Sequence, residues 1–348
     1  MKDILKYTIS FNASIIDALR KLNELPSLLT IFVLDSSDRV IGSLTDGDVR
    51  RGLINGVKLE DRLEHVVYKD FSFLLDMEDN FEKLKEFREK KLRAVPLLDE
   101  NGKLIRIYNF AEIKSILPID AVIMAGGKGV RLKPLTEKIP KPLLKVGKKE
   151  IISYNFDRLF QYGVVNQHVT LNYLGKQIEE YCKNYSKEIN FDLIHEPEML
   201  GTAGALTLID KFRNNTVLLM NSDLLTNIDY EDFYKTFVEK DADMLVASIP
   251  YEINLPYAVF ETDDRQIKAF KEKPNYTHYA NAGIYLFKKE LIDMIPKGRV
   301  YNATDFMQVV IDQKRKLVHY PIRSYWLDIG KHNDFEKAQK DIAHINWD

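Results

Sequence analysis

From residue 121 onward, short apolar segments alternate with helical segments, and this alternation constrains the fold more than any other feature of the chain. The apolar segments predict strands at 121–124, 165–170, 191–195, 217–220, 244–248 and 283–287. The segments between and after them predict helices at 151–162, 176–187, 203–211, 230–240, 289–294 and 304–314. Such an order is typical of an α/β fold with a mostly parallel sheet, whose ligands bind at the carboxyl ends of the strands.

The segment that follows the first predicted strand is rich in glycine and flanked by basic residues. Gly126, Gly127 and Gly129 come directly after the strand, and Arg131 and Lys141 lie just beyond them. Glycines allow backbone N–H groups to approach a phosphate because no Cβ intervenes. Arg and Lys side chains around such a loop supply positive charge to phosphate oxygens. The segment therefore predicts a phosphate-binding loop.

Two common glycine-loop motifs do not fit this segment. A P-loop requires Lys and then Ser or Thr after its last glycine, whereas Val130 and Arg131 follow Gly129. A dinucleotide-binding fingerprint requires a third glycine where Leu132 stands. A solvated strand-to-helix turn would account for the glycines but leaves Arg131 and Lys141 unexplained.

The longer pattern G-G-x-G-x-R-L-x-P-L-T, followed by P-K-P-L, resembles the sugar-phosphate nucleotidyltransferases. The resemblance extends over nearly all of residues 119–340. It implies an α/β fold with a Rossmann-like, mostly parallel sheet, and transfer of a nucleotidyl group from an NTP to a sugar 1-phosphate.

Composition limits the class of protein. A chain of 348 residues predicts two domains, and its net charge of −2 gives no indication of a nucleic-acid or membrane partner. The single cysteine, Cys182, excludes an internal disulfide and fits a reducing compartment. The start MKDILKYTIS lacks the apolar core of a signal peptide, and no run reaches the roughly 18 apolar residues of a membrane helix. We therefore expect a cytoplasmic protein.

The first ~117 residues contain an internal repeat. Residues 30–35 align with 94–99 at an offset of 64, and each copy predicts a helix, a strand, a polar turn, a second strand and a second helix. Residues 40–49 resemble the end of a CBS motif. The repeat therefore predicts a tandem CBS pair of α+β structure.

The expected domain organisation follows from the repeat and from the glycine-rich motif. The CBS pair would span residues 1–117, with copies at about 8–57 and 66–117, and the nucleotidyltransferase domain would span residues 119–348.

The CBS resemblance implies that Thr45 and Asp48 hold the ribose of an adenine nucleotide. Asn109 and Glu112 occupy the equivalent positions in the second copy, which predicts a single ligand site. The alternative is that the pair serves packing or dimerisation, as in a homodimer, and binds no ligand.

Two aspartates are candidate metal ligands. Asp223 follows the predicted strand 217–220, and Asp328 lies far downstream in a Trp-Leu-Asp-Ile-Gly segment. The family resemblance implies that both bind Mg²⁺, which commonly takes one or two carboxylates together with phosphate oxygens and waters. An Asp after a strand is also a common helix cap or turn residue, which is the structural alternative.

The remaining site residues follow from the same resemblance. Glu196, Gly201 and Thr202 belong to a segment that contacts base and ribose in the family, and its form favours GTP; Thr202 could instead cap a helix. The resemblance assigns sugar and sugar-phosphate contacts to four further residues, Tyr257, Glu272, Lys273 and Asn281.

These residues together predict a reaction. Arg131 would stabilise the leaving pyrophosphate, while Lys141 and Lys273 would hold the α-phosphate and the sugar phosphate. A CBS pair fused to this enzyme resembles the guanylyltransferases of legionaminic acid pathways, which activate glucosamine 1-phosphate for glycan precursors. Mannose 1-phosphate and a heptose 1-phosphate are the alternative substrates. A non-catalytic adenylate sensor is the alternative from another class, although Lys141, Asp223 and Asp328 are all retained.

Overall fold

The computed structural model describes residues 4–25, 29–76 and 80–347. The chain divides into two compact units, Met1–Ile116 and Leu117–Asp348. Within the described ranges, no helix is long and apolar enough to cross a membrane.

Among its described residues, the first half of the first unit contains three strands and two α-helices, β1 (Thr8–Ser10), α1 (Ile15–Glu24), β2 (Thr30–Leu34), β3 (Val40–Thr45) and α2 (Asp46–Ile54). Strand β1 pairs with β2 in parallel, and β2 pairs with β3 in antiparallel fashion. The apolar residues of α1 recur at helical spacing and are buried in one cluster with the strands.

The second half repeats this order with β4 (Leu74–Leu75), α3 (Phe81–Glu89), β5 (Ala94–Leu98) and β6 (Leu104–Asn109). The pairing directions are the same as in the first half. Even the irregularities repeat, because the β2–β3 register shifts between Val33 and Leu34, and the β5–β6 register shifts between the equivalent Leu97 and Leu98.

The second helix predicted for the second copy is absent from the structure, where the residues after β6 form turns. The N–H groups of Glu112 and Ile113 donate to the Asn109 carbonyl, which makes one turn and no more. The Asn109 side chain accepts the N–H of Ala111 and so favours a local turn over a helix. Pro118 follows within a few residues and disfavours helical backbone in the residue before it.

The second unit contains thirteen strands and five α-helices within the described residues. In chain order these are β7 (Ile119–Met124), β8 (Lys145–Val146), β9 (Lys149–Glu150), α4 (Ile151–Gln161), β10 (Asn166–Leu171), α5 (Gly175–Lys183), β11 (Asn190–His195), β12 (Thr216–Asn221), β13 (Leu224–Thr226), α6 (Tyr230–Glu239), β14 (Met244–Asn254), β15 (Val259–Asp263), β16 (Gln266–Lys271), β17 (Asn275–Lys288), α7 (Ala303–Asp312), β18 (Leu317–Pro321), β19 (Trp326–Asp328) and α8 (His332–Asp341).

Seven of these strands form the central sheet, in the order β11-β10-β7-β12-β17-β14-β18. Only β17 runs against its neighbours, so the expected mostly parallel α/β sheet is confirmed. Strands β7 and β12 are buried along almost their whole length, which explains why they are continuous apolar runs in the sequence.

Two of the predicted helices are short 3₁₀ segments, Gly204–Leu208 and Lys289–Met294. The first is short because its start is held against another part of the chain: the N–H groups of Ala203 and Gly204 both donate to the Tyr301 carbonyl. The second ends just before Pro296, which disfavours helical backbone at Ile295.

Strands β14 and β17 continue beyond the sheet as a paired ribbon, which we call the arm (residues 249–280). Because β17 is antiparallel to β12, the N-terminal part of β17 leaves the sheet at the side where the carboxyl ends of β7 and β12 lie. The ribbon ladder continues to the Asn254–Asn275 pair, about 20 Å outward at about 3.4 Å per residue, and β15 and β16 form the hairpin beyond it.

Candidate active site

The glycine-rich loop after β7 folds back onto Lys141. Gly129 has φ of +60°, a conformation that favours glycine, and a Cβ there would lie 3.1 Å from the Lys141 Cβ. The Thr136 hydroxyl donates to the Gly129 carbonyl over 2.9 Å, and Tyr173 donates to the Thr136 carbonyl over 3.1 Å. The loop is therefore held in place by Thr136, the last residue of the motif, and by Tyr173, which lies outside it.

Glu196 lies directly against the loop. A Cβ on Gly126 would be 2.7 Å from Glu196 Oε1 and 3.2 Å from the Asn172 Cβ, so a larger residue would displace the Glu196 side chain. The other carboxylate oxygen of Glu196 accepts the N–H of Leu200 over 3.0 Å. Gly127, in contrast, is exposed and would have open space around a Cβ. The position of Glu196 therefore depends on glycine at 126, while nothing in the described structure restricts the residue at 127.

The two candidate metal ligands are brought together by the short β13–β19 ladder. In this antiparallel pair Leu224 lies opposite Asp328, which places Asp223 at the same end of the ladder. The N–H of Ile329 donates to the Asp223 carbonyl over 3.1 Å and closes the pair at that end.

Buried apolar residues lie within three positions of each charged residue of the site, namely Arg131, Lys141, Asp223 and Asp328. One hydrophobic cluster contains the direct or near neighbours of all four charged residues, namely Leu132, Leu144, Leu225, Leu327 and Ile329. On β19 the side chains alternate between the two faces, so burial of Leu327 places Asp328 on the opposite face.

Lys141 lies between the two carboxylates. It is only 8% exposed, and its ammonium group forms an ion pair and hydrogen bond with Asp223 Oδ2. Its Nζ is also 3.9 Å from Asp328 Oδ1. A buried ammonium group needs such a partner because its desolvation is otherwise strongly unfavourable.

The electrostatics of the site favour an added cation. Burial and the nearby Asp223 carboxylate raise the pKa of Asp328, while Lys141 and Arg131 counteract part of that rise. Asp223 Oδ1 and Asp328 Oδ1 are buried and have no hydrogen-bond partner within the described residues. Two carboxylates with unpartnered oxygens fit a divalent cation whose remaining ligands come from phosphates and water. No group of three or more potential metal-ligating side chains exists in the described part of the chain.

The turn at Gly201 and Thr202 has a clear structural role. Gly201 has φ of +77°, and a Cβ there would be 2.7 Å from the Tyr301 carbonyl oxygen. The Thr202 hydroxyl accepts the N–H of Ala303 over 2.8 Å, so it caps helix α7 and not the helix predicted to follow it. This bond uses the Thr202 oxygen as an acceptor, and the hydroxyl group still has its O–H to donate.

The predicted sugar-binding residues are only partly brought to this site. Tyr257, Glu272 and Lys273 lie on the arm, are exposed to solvent and make no side-chain hydrogen bond or ion pair with other described residues. Lys273 has φ of +41°, which is uncommon for a residue other than glycine. Asn281 lies at the base of the arm, where it donates to Tyr285 OH over 2.8 Å and accepts the N–H of Gly283.

Asn221 is a residue near the site that the sequence analysis did not single out. A Cβ on Gly283 would be 2.6 Å from Asn221 Nδ2, so Asn221 packs directly on the backbone after Asn281. Trp326 contributes to the same region by donating its ring N–H to the Ala282 carbonyl over 2.9 Å. The sequence contains one indication of this role, because Asn221 stands at the end of a predicted strand, immediately before Ser222 and Asp223.

The first unit contains a separate cleft of about 800 Å³. Thr45 and Asp48 line it and form a reciprocal cap at the start of α2: the Thr45 hydroxyl and N–H both donate to Asp48 Oδ2. Arg51 donates to the other oxygen, Asp48 Oδ1, over 2.5 Å. In the second half, the Asn109 amide donates to Glu112 over 2.9 Å, with no full helix behind it.

Comparison with known families decides the class of the chain. Residues 120–345 match the family described as nucleotidyl transferase, and residues 1–55 match the CBS domain. The chain belongs to the nucleotidyl transferase family.

Known nucleotidyl transferases resemble this chain at modest identity. UTP–glucose-1-phosphate uridylyltransferase of Synechocystis is 31% identical over 245 residues, which is 64% of this chain and 63% of that protein. D-glycero-alpha-D-manno-heptose 1-phosphate guanylyltransferase of Aneurinibacillus thermoaerophilus is 29% identical over 231 residues, 65% of this chain and 99% of that protein.

The fold is also found in a crystal structure from Bacillus anthracis, of a protein assigned as a glucose-1-phosphate thymidylyltransferase. It has a TM-score of 0.54 and 23% identity, and the match covers 66% of this chain and 97% of that one. At this identity the likeness establishes the fold alone.

Replacing Gly201 in this protein with alanine should destabilise the fold by about 2 kcal/mol, because the substitution combines an unfavourable φ with a backbone clash. Gly298→Ala is the matched control, since Gly298 has φ of +64° and open space around it. Urea denaturation of both variants measures the difference. Equal losses of stability in the two variants would contradict the predicted clash with Tyr301.

Asp328→Asn should raise the Tm of the metal-free protein at pH 7, because it removes a partly buried charge beside Asp223. A carboxyl group whose pKa is raised by folding destabilises the fold above that pKa, so the gain should shrink as the pH is lowered. Asp223→Asn should have the opposite effect, because it removes the partner of buried Lys141. Thermal melts in EDTA test this, and a lower Tm for Asp328→Asn would contradict it.

Proposed function

We propose that this protein condenses an NTP with a sugar 1-phosphate to give a nucleotide-sugar and pyrophosphate. The proposal rests mainly on one observation. Lys141, Asp223 and Asp328 are grouped at the carboxyl ends of the strands, on the side of the sheet that also carries the glycine-rich loop. An oxygen of the sugar phosphate attacks the α-phosphorus, and the bond from that phosphorus to the bridging oxygen of pyrophosphate breaks. The chemistry requires positioning and charge neutralisation more than proton transfer.

Each charged residue has a proposed part in this reaction. Lys141 holds the α-phosphate, and Arg131, on the exposed side of the loop, stabilises the leaving pyrophosphate. Gly126, Gly127 and Gly129 allow backbone N–H groups to approach the triphosphate. Asp223 and Asp328 would hold Mg²⁺, which supplies positive charge to the phosphates when it is bound.

GTP is the proposed nucleotide. The segment with Glu196, Gly201 and Thr202 resembles that of guanylyltransferases, and Glu196 lies against Gly126 in the loop, near the proposed triphosphate site. The similarity to a heptose 1-phosphate guanylyltransferase adds support, although a uridylyltransferase is equally similar. UTP is therefore the nucleotide against which GTP is tested.

Glucosamine 1-phosphate is the proposed acceptor, with mannose and heptose 1-phosphates as the alternatives. The proposed contacts come from Tyr257, Glu272 and Lys273 on the arm and from Asn281 at its base. The arm leaves the sheet at the same edge as the site, and its Lys273 supplies a positive charge for the sugar phosphate.

One assay tests the reaction and both substrate assignments. The purified protein is mixed with Mg²⁺, each NTP in turn and each of the three sugar 1-phosphates, and pyrophosphate release is measured. Release with GTP and glucosamine 1-phosphate above all other pairs supports the proposal in full. Release with another pair would retain the reaction and change the substrate, whereas no release with any pair would refute the proposed reaction for these substrates.

Lys141→Ala should lower kcat by on the order of 10², because one charge-assisted contact to developing phosphate charge contributes about 3 kcal/mol. Lys145→Ala is the matched control, since Lys145 is exposed and pairs only loosely with Glu150. Steady-state kinetics on both variants provide the test. A change confined to KM would show that Lys141 helps the substrate to bind but does not stabilise the transition state.

We also propose that the cleft of the first unit binds an adenine nucleotide in one site, through Thr45 and Asp48. The cleft has the volume for such a ligand, and Lys90, Lys91 and Arg93 at its wall supply positive charge for phosphates. The second half has no equivalent Thr-Asp pair, which supports a single site.

Asp48→Ala should abolish binding of AMP, ADP or ATP in calorimetry. Asp17→Ala is the matched control, because Asp17 caps α1 with Ser14 and pairs with an arginine three residues later, as Asp48 does in α2, but does not line the cleft. Both variants should lose about 1 kcal/mol of stability from the lost cap. Binding that survives Asp48→Ala, or two equivalent sites in the wild type, would contradict the assignment.

A further inference from the structure

Helix α4 presents two buried polar side chains to the segment that carries Asp223. Asn155 is 1% exposed and Arg158 is 4% exposed, and they lie three residues apart on the same face of the helix. Buried polar groups are unfavourable unless they are hydrogen-bonded, so their partners indicate what they are for.

Both side chains donate to backbone carbonyls on either side of β13. Asn155 Nδ2 donates to the Ser222 carbonyl over 3.3 Å, and Arg158 donates to the Asn227 and Ile228 carbonyls over 3.2 and 2.8 Å. Strand β13 is therefore held at both ends from one helix. The end held by Asn155 is the end that carries Asp223.

The Ser222 carbonyl belongs to the peptide unit that leads into Asp223. The N–H of Ser222 is already bound to the Met124 carbonyl over 3.2 Å, and the Asp223 carbonyl accepts the N–H of Ile329. Asn155 therefore binds the carbonyl of the peptide that lies between these two anchors. Its loss would allow this peptide to rotate and would change the direction in which the Asp223 carboxylate points.

We propose that Asn155 is a positioning residue, which orients the Asp223 carboxylate so that its free oxygen and that of Asp328 can bind one divalent cation together. The inference rests on the proposed function only in that Asp223 and Asp328 take a cation. Groups that orient a metal ligand typically change metal affinity by about 10- to 100-fold when they are removed.

The test measures Mn²⁺ binding by the loss of the free-ion EPR signal, with full-length protein and without substrates. Asn155→Leu keeps the volume of the side chain and removes the donor. Gln167→Leu is the matched control, because Gln167 is 0% exposed and also donates only to backbone carbonyls, those of Phe156 and Val164, neither of which is in the segment that carries Asp223. Both variants should lose stability in thermal melts, since each leaves buried carbonyls without a donor.

The expected result is a Kd for Mn²⁺ at least tenfold higher in Asn155→Leu and unchanged in Gln167→Leu. Kinetics should show a lower kcat for Asn155→Leu at fixed Mg²⁺, restored in part by raising Mg²⁺, with the KM for NTP unchanged. If Asn155→Leu does not fold, the smaller Asn155→Ser replaces it in the same measurements.

Equal Mn²⁺ affinities in wild type and Asn155→Leu would overturn the proposal and leave Asn155 with a role in packing alone. Binding is measured without turnover, so this result is independent of the pyrophosphate assay. Tight Mn²⁺ binding with no pyrophosphate release would count against the proposed reaction and not against the role of Asn155. A wild type that binds no Mn²⁺ would overturn both the metal site and the positioning role.

Discussion

The pairing of β13 with β19 is the interaction on which the candidate site depends. Through it, carboxylates from two distant parts of the chain meet at one end of a short ladder, with a buried lysine between them. Like charges at close range in a partly buried place repel each other strongly. Other interactions must therefore hold the two carboxylates together. Their unfavourable proximity also makes the site suitable for a cation, which would offset the repulsion.

The interactions that hold the two carboxylates together are contacts between buried apolar side chains. The charged residues of the site lie within three residues of four leucines and an isoleucine that are buried in a single cluster, so burial of these neighbours stabilises the grouping of the charges. The loop contributes Leu132, the turn of Lys141 contributes Leu144, and both short strands contribute members of the same cluster. The charged groups and the core residues thus belong to the same short segments of the chain.

The sequence predicted the central sheet better than it predicted the short helices and strands around the site. The alternation of strands and helices predicted the mostly parallel sheet, because burial on both faces makes β7 and β12 continuously apolar. The segments predicted as helices after Thr202 and before Pro296 have the right position but the wrong form, since contacts with Tyr301 and a following proline restrict them. The short strand β19 was not predicted, because three residues paired with a remote strand have no local pattern.

The arm differs from the rest of the candidate site in its burial. Its side chains are largely exposed, including large apolar ones such as Phe260, Ile267 and Phe270, whereas the residues around Lys141 are embedded in the core. Substitutions at exposed positions usually change the free energy of unfolding by less than about 0.5 kcal/mol. If the arm binds the acceptor sugar, members of the family can therefore acquire new acceptors through substitutions in the arm. The charged residues around Lys141 can then stay the same.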